Sequence, residues 1–161
     1  IKWRHFIAGF NAGFEAAGVG FLQKQRRDQG GQVGVAATLA EAVERALDLA
    51  RAGLDRQLVL GLIQVESNFR KYAVSIAGAR GYMQVMPFWT RVIGDGDPAK
   101  LFHMQTNLRF GCVILRHYLD RERGDLFLTL GRYNGSRGRA PYPDAVFAAQ
   151  RNWLFDGRLT G

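Results

Sequence analysis

From Leu39 onward the apolar residues of this 161-residue chain recur at intervals of three and four and almost nowhere alternate with polar ones. That is the period of an α-helix, in which residues three and four apart share a face. A chain patterned this way must bury helix against helix, so the expected fold class is all-α or mostly α. Thr38 and Glu41 form a capping box for a first helix that carries Leu39, Val43, Ala46, Leu47 and Ala50 and closes at Gly53. Asp55 stands where it can cap a second helix running to about Ser67. Val74 to Gln84, with Gly78 and Gly81, reads as a turn-rich loop with room for a short hairpin. A short helix follows Pro87, and GDGDP at Gly94 to Pro98 is a loop. A long helix starting at Thr106 or Asn107 runs to about Arg121 and is stopped by Gly124. Asp125 opens another that ends near Tyr133, and Pro143 opens the last, through Trp153.

Ahead of this pattern, QKQRRDQGGQVG at residues 23–34 is charged and glycine-rich, the composition of a linker. The segment before it has early positive charge at Lys2 and Arg4 and then many apolar residues, in the manner of a secretion signal. Asn11 and Glu15 interrupt it, so it reads as an amphipathic accessory segment. The expected organisation is an N-terminal accessory segment and linker over residues 1–37 and a compact helical domain over 38–161.

The net charge of +8 calls for an anionic partner or surroundings. The basic residues are scattered, and the one tight cluster, Lys24, Arg26 and Arg27, sits in the linker, where it reads as solvated. No basic recognition helix is present, which argues against nucleic acid. No stretch approaches the roughly 18 apolar residues of a spanning helix, so no stable membrane insertion is expected. The single cysteine, Cys112, allows neither an intramolecular disulfide nor a cysteine zinc site. It shares a helical face with Leu108, Leu115 and Leu119, the setting of a buried structural thiol.

The second helix contains the residue that most needs explaining. At about 100° per residue, Leu58, Val59, Leu62, Ile63, Val65 and Phe69 fall on one face, and Glu66 falls in the middle of it. Desolvation disfavours a carboxylate there and raises its pKa; a rise of about two pH units costs the ionised form roughly 2.7 kcal/mol. A carboxylic acid still protonated near neutral pH is what a general acid requires. The ordinary alternative is a glutamate that reaches water or pairs with Arg70, its i+4 neighbour.

Other segments weigh in. SIAGARGYMQVMP, from Ser75 to Pro87, combines close-approach glycines with Met83, Met86 and the amide of Gln84, which offers donors and acceptors to sugar groups. RYNG, from Arg132 to Gly135, supplies a ring at Tyr133 and an amide at Asn134. Tyr142 follows before the last helix. Each piece alone is compatible with loop packing or helix capping. In order, Glu66-Ser67, Ser75, GYMQVMP, Tyr133-Asn134-Gly135 and Tyr142 resemble the catalytic domain of soluble lytic transglycosylases, within the lysozyme superfamily. The resemblance covers roughly Leu39 to Trp153. Tyr82 stands where the family often has Leu, and Arg132 where it often has Ala.

The resemblance implies a lysozyme-like fold with a groove for peptidoglycan glycan strands and a bacterial periplasm or cell-envelope location. No export signal is visible in support of that location. A cell-envelope or secretion-system protein is a further partner consistent with it. Glu66 would be catalytic. Ser75, Gln84, Met86, Tyr133 and Asn134 would line the groove, and Tyr142 would stand near the glutamate. The resemblance further implies that Glu66 protonates the glycosidic oxygen and then deprotonates the muramic C6 hydroxyl, closing a 1,6-anhydro ring with no metal and no cofactor. Most glycosidases use two carboxylates. Asp95 and Asp97 are the nearest downstream, and both read as turn residues. A hydrolytic muramidase and a non-catalytic peptidoglycan-binding module remain the alternatives. Arg137 and Arg139 are candidates for contact with the polymer's carboxylates.

Overall fold

The computed structural model describes residues 39, 42–46, 48 and 52–153. The expected accessory segment at 1–37, the Thr38/Glu41 capping box, Leu47 and Ala50 lie outside the described residues. Residues 39, 42–46 and 48 are helical. They lead into α1 (Arg56–Ser67), α2 (Trp89–Ile93), α3 (Met104–Arg121), α4 (Leu126–Asn134) and α5 (Pro141–Gln150). Two 3-10 turns, Pro98–Phe102 and Arg151–Trp153, complete the order. The described residues contain no strand. Where a hairpin had room to form there are only isolated antiparallel bridges, Val74 with Arg80 and Arg80 with Val85. The all-α expectation holds.

Several boundaries differ from those expected from the sequence. Helix α3 begins at Met104, ahead of Thr106 and Asn107. Asn107 does not cap it; its side chain turns into the protein. Helix α5 begins at Pro141 and not at Pro143, since a proline in the first turn has no N–H to lose. Asp55 sits at the N-cap of α1 but makes no side-chain cap bond. Asp125 caps α4 as expected, accepting from the Leu128 N–H at 2.9 Å.

Helix α1 is more deeply set than a one-sided apolar face implies. Leu58, Val59, Leu60, Gly61, Leu62, Ile63 and Val65 are all buried, so it is the central helix of the domain. Each large aliphatic side chain buried this way contributes about 1.5–3 kcal/mol. It lies against α5, and Gly61 permits that approach: a Cβ there would stand 2.6 Å from the Gln150 backbone nitrogen. Trp153 Nε1, just past α5, donates to Gln64 Oε1 at 2.9 Å and so ties the two helices again. Cys112 is buried with Leu108 and Leu115, while Leu119 is half-buried at the edge of that face. Burial pushes the Cys112 thiol up to about 12, which leaves it inert.

Candidate active site

Glu66 lies in the last turn of α1 with 9% of its surface exposed. The helix ends immediately after it. Asn68 and Phe69 both take left-handed φ, +50° and +60°, a conformation that non-glycine residues adopt at a cost of order 1–3 kcal/mol each. Packing holds it in place: Phe69 is buried and its ring meets Trp153 edge-on at 5.3 Å. The Asn68 N–H returns to the Gln64 carbonyl at 3.0 Å.

The close contact of α1 with α5 delivers the tyrosine near the start of α5 to the glutamate. The Tyr142 hydroxyl donates to Glu66 Oε1 at 2.5 Å. Burial raises the Glu66 pKa from 4.5 to about 8, and the bond from Tyr142 pulls it partly back. At neutral pH the group is therefore mostly a neutral acid. With Oε1 accepting from Tyr142, the acidic proton belongs on Oε2. Burial and the nearby Glu66 push both the Tyr133 and Tyr142 hydroxyls well above their usual range, so each stays a neutral donor.

The loop between the Val74 bridge and Pro87 is fastened beside this helix end from three sides. Ser67 Oγ lies 2.8 Å from the Tyr82 carbonyl and 3.1 Å from that of Ile63, one proton serving both. Asn107 is fully buried in α3. Its Oδ1 accepts from the Met83 N–H at 2.8 Å, and its Nδ2 donates to the carbonyls of Arg80 and Leu101, each at 2.8 Å. Tyr133, on α4, donates its hydroxyl to the Met83 carbonyl at 2.7 Å. Met83 itself fills the space over Gly111, where a Cβ would come within 2.3 Å of its sulfur. Gly81 is required twice, by its φ of +75° and by Asn107 Nδ2 at 2.5 Å from any Cβ.

The expected site residues are distributed as follows. Glu66, Tyr133 and Tyr142 meet at the end of α1. Gln84 is half-buried with a left-handed φ of +50°, and its Nε2 donates to the carbonyls of Ala73 at 3.1 Å and Gly81 at 2.9 Å. Its amide thus shapes the loop. Ser75 Oγ accepts from the Ala79 N–H at 3.0 Å and closes the preceding turn. Met86 is half-buried against the core. Asn134 ends α4 and donates to Ser136 Oγ at 2.7 Å. Asp95 and Asp97 perform the turn chemistry anticipated for them: Asp95 accepts from the Asp97 N–H at 3.1 Å and pairs with Lys100, and Asp97 caps Ala99 at 2.9 Å.

Two features are not evident from the sequence. One is the role of Asn107, whose signal was a polar residue one turn before Gly111 on an apolar helix face. The other is a second buried glutamate. Glu122, 8% exposed, receives Arg137 Nε at 2.6 Å and Nη2 at 2.9 Å, and Arg132 Nε at 2.5 Å. Arg137, a candidate for contact with the polymer, is thus engaged by Glu122, because the close approach at Gly131 brings its backbone against α4. The arginines, Arg137 foremost, hold the Glu122 carboxyl down at about 2.

Comparison with known proteins bears on what this arrangement is. The chain is similar to the membrane-bound lytic murein transglycosylase C of Histophilus somni strain 2336, 35% identical over 124 residues, covering 65% of this chain and 34% of that protein. The protein of the same name from Haemophilus influenzae strain PittEE is 54% identical over 103 residues, covering 55% and 29%. The chain therefore spans about a third of the length of these relatives. The fold resembles that of an inactive glutamate-to-glutamine mutant of the lytic transglycosylase Slt from Pseudomonas aeruginosa. The TM-score is 0.53 at 21% identity, over 68% of this chain and 20% of that one. The family model for the transglycosylase SLT domain matches residues 47–145, from ahead of α1 into α5, and the chain belongs to that family.

Proposed function

We propose that this domain cleaves the MurNAc–GlcNAc β-1,4 bond of murein without water, with Glu66 as general acid and then general base. The observation that carries the proposal is the setting of Glu66: buried at a helix end, its pKa raised by burial to about 8, and held by a neutral hydroxyl on Oε1. That setting fits the first step. Glu66 Oε2 gives its proton to the glycosidic oxygen as the C1–O bond breaks, and the muramic acetamide carbonyl stabilises the positive charge developing at C1. The carboxylate so formed is supported by the Tyr142 hydroxyl. It then takes the proton of the muramic C6 hydroxyl while O6 bonds to C1. The products are a free GlcNAc C4 hydroxyl and a 1,6-anhydromuramic end, and Glu66 is protonated again. The substrate supplies both nucleophiles, so a second carboxylate has no part to play, in keeping with the turn roles of Asp95 and Asp97.

The relatives' names, lytic murein transglycosylases, support the substrate class, and the inactive glutamate-to-glutamine mutant of Slt supports a glutamate as the essential group. Action on murein would call for a place at the bacterial cell wall, in the periplasm or envelope. Among the described residues no helix is long and apolar enough to cross a membrane. The test is mass analysis of products from purified peptidoglycan. Anhydromuramic ends are expected; reducing ends, heavier by one water, would replace the lyase reaction with hydrolysis. Absence of cleavage by a folded protein that still binds strands would reduce the domain to a binding module.

A further inference from the structure

The segment joining α1 to the Tyr82–Met86 loop exposes apolar surface that no packing among the described residues accounts for. Tyr72, Val74 and Ile76 are 69%, 59% and 89% exposed. Tyr72 is not loose. Its ring leans on Phe102 with centroids 5.8 Å apart and planes tilted 46°, and Lys71 Nζ lies 5.1 Å from its centroid. Arg80 lies 5.4 Å over the Phe102 ring and donates to the Pro98 carbonyl at 3.0 Å. The result is a supported pair of rings bracketed by two cations. It adjoins the loop that is fastened beside the end of α1. The carbonyl of Ala73, next to Tyr72, accepts from the Gly81 N–H at 2.9 Å and from Gln84 Nε2 at 3.1 Å. Lys71 and Tyr72 are also close enough to act on the Tyr82 hydroxyl.

We propose that Tyr72 and Lys71 form an outer subsite for a muramyl-peptide unit of the glycan strand, the sugar ring stacking on Tyr72 and a stem-peptide carboxylate meeting Lys71. The inference rests on the murein-cleaving function proposed above and adds where the strand is gripped away from Glu66. An aromatic ring 69% exposed and backed by Phe102 offers apolar surface that suits the C–H face of a pyranose. The cations beside it favour an anionic unit over a neutral sugar. Three exposed side chains are far short of the roughly 20–30 residues a side of a stable protein interface. Arg137, one candidate for contact with the polymer's carboxylates, has its guanidinium bonded to Glu122.

The experiment measures equilibrium binding of the whole chain, in a Glu66→Gln background that prevents turnover, to two probes: glycan strands bearing stem peptides and the same strands stripped of peptide. Tyr72→Ala should weaken both about tenfold, and Tyr72→Phe should retain both. Lys71→Gln should weaken peptide-bearing strands about threefold at low salt and leave stripped strands unchanged. That difference should vanish near 1 M salt, where the Debye length is about 3 Å. Parental binding by Tyr72→Ala overturns the subsite. An equal effect of Lys71→Gln on both probes, or none on either, overturns the carboxylate contact. Cleavage of murein by the wild-type chain is assayed in parallel. If the wild type cleaves and Tyr72→Ala binds normally, only the subsite falls. If the wild type neither binds nor cleaves, the murein-cleaving function falls with it.

Discussion

Glu66 and Glu122 expose equally little surface, 9% and 8%, yet they sit at opposite ends of the carboxylate range. Both stand at a helix C-terminus, Glu66 in the last turn of α1 and Glu122 as the C-cap of α3, where the helix dipole disfavours an anion. Glu66 meets a neutral hydroxyl and rises to about 8; Glu122 meets two guanidinium groups and falls to about 2. Little exposed surface alone therefore does not decide the protonation state. At Glu66 desolvation outweighs the single hydroxyl, and at Glu122 the guanidinium of Arg137 outweighs desolvation, which separates an acid able to give a proton at neutral pH from a clasp ionised at neutral pH.

The largest expected effect breaks the comparison on the Glu66 side. Glu66→Gln keeps the shape but cannot cycle a proton, so release of soluble muropeptides should fall by about 10²–10⁴ or more with no loss of folded structure by circular dichroism. Substantial turnover in the folded variant would sink the assignment. Glu122→Gln should do the reverse. Losing charge-assisted bonds costs about 1–3 kcal/mol, which lowers the Tm of a chain of this size by roughly 2–12 °C, while turnover per folded molecule stays within a few-fold. An activity loss matching that of Glu66→Gln at unchanged Tm would mean the two roles are misassigned.

The pH dependence of stability should sharpen the contrast, because the two groups tilt it in opposite directions. The folded pKa of Glu66 lies above its unfolded value of 4.5. Its contribution is therefore complete below pH 4.5 and is lost at up to about 1.4 kcal/mol per pH unit as pH rises towards 8. The folded pKa of Glu122 lies below 4.5, so its contribution is present above that pH and lost as pH falls towards 2. In denaturant titrations across pH, Glu66→Gln should flatten the neutral-side slope and Glu122→Gln the acid-side slope. Identical profiles for the two variants would dissolve the distinction.

Smaller effects follow. Tyr142→Phe removes a bond that lowers the Glu66 pKa, so the alkaline limb of the rate profile, expected near pH 8, should move upward. The rate should drop about tenfold, the equivalent of one hydrogen bond. A rate loss with an unmoved limb would mean Tyr142 acts only in packing. The smallest effect belongs to the exposed carboxylates: Asp95→Asn and Asp97→Asn should each leave kcat within about threefold. A larger loss would reinstate a two-carboxylate hydrolase.

Much of this was legible in the chain itself. Helical periodicity determined the fold class, and the turn residues set most element boundaries to within about two positions. Glu66 stood out because a carboxylate on an apolar stripe violates a local rule, and a violation of that kind is visible without coordinates. Tertiary structure alone decided what each polar residue meets. Nothing local says that Gly61 brings α5 close enough for Tyr142 to reach Glu66, or that Asn107 faces Met83 from twenty-four residues away. Arg137 looked like a loop cation open to the polymer or to water until folding set it on Glu122, fifteen residues back. Periodicity reports which face of a helix is buried. A pKa depends on which charges lie within a few ångströms, and those are chosen by the packing of segments remote in sequence.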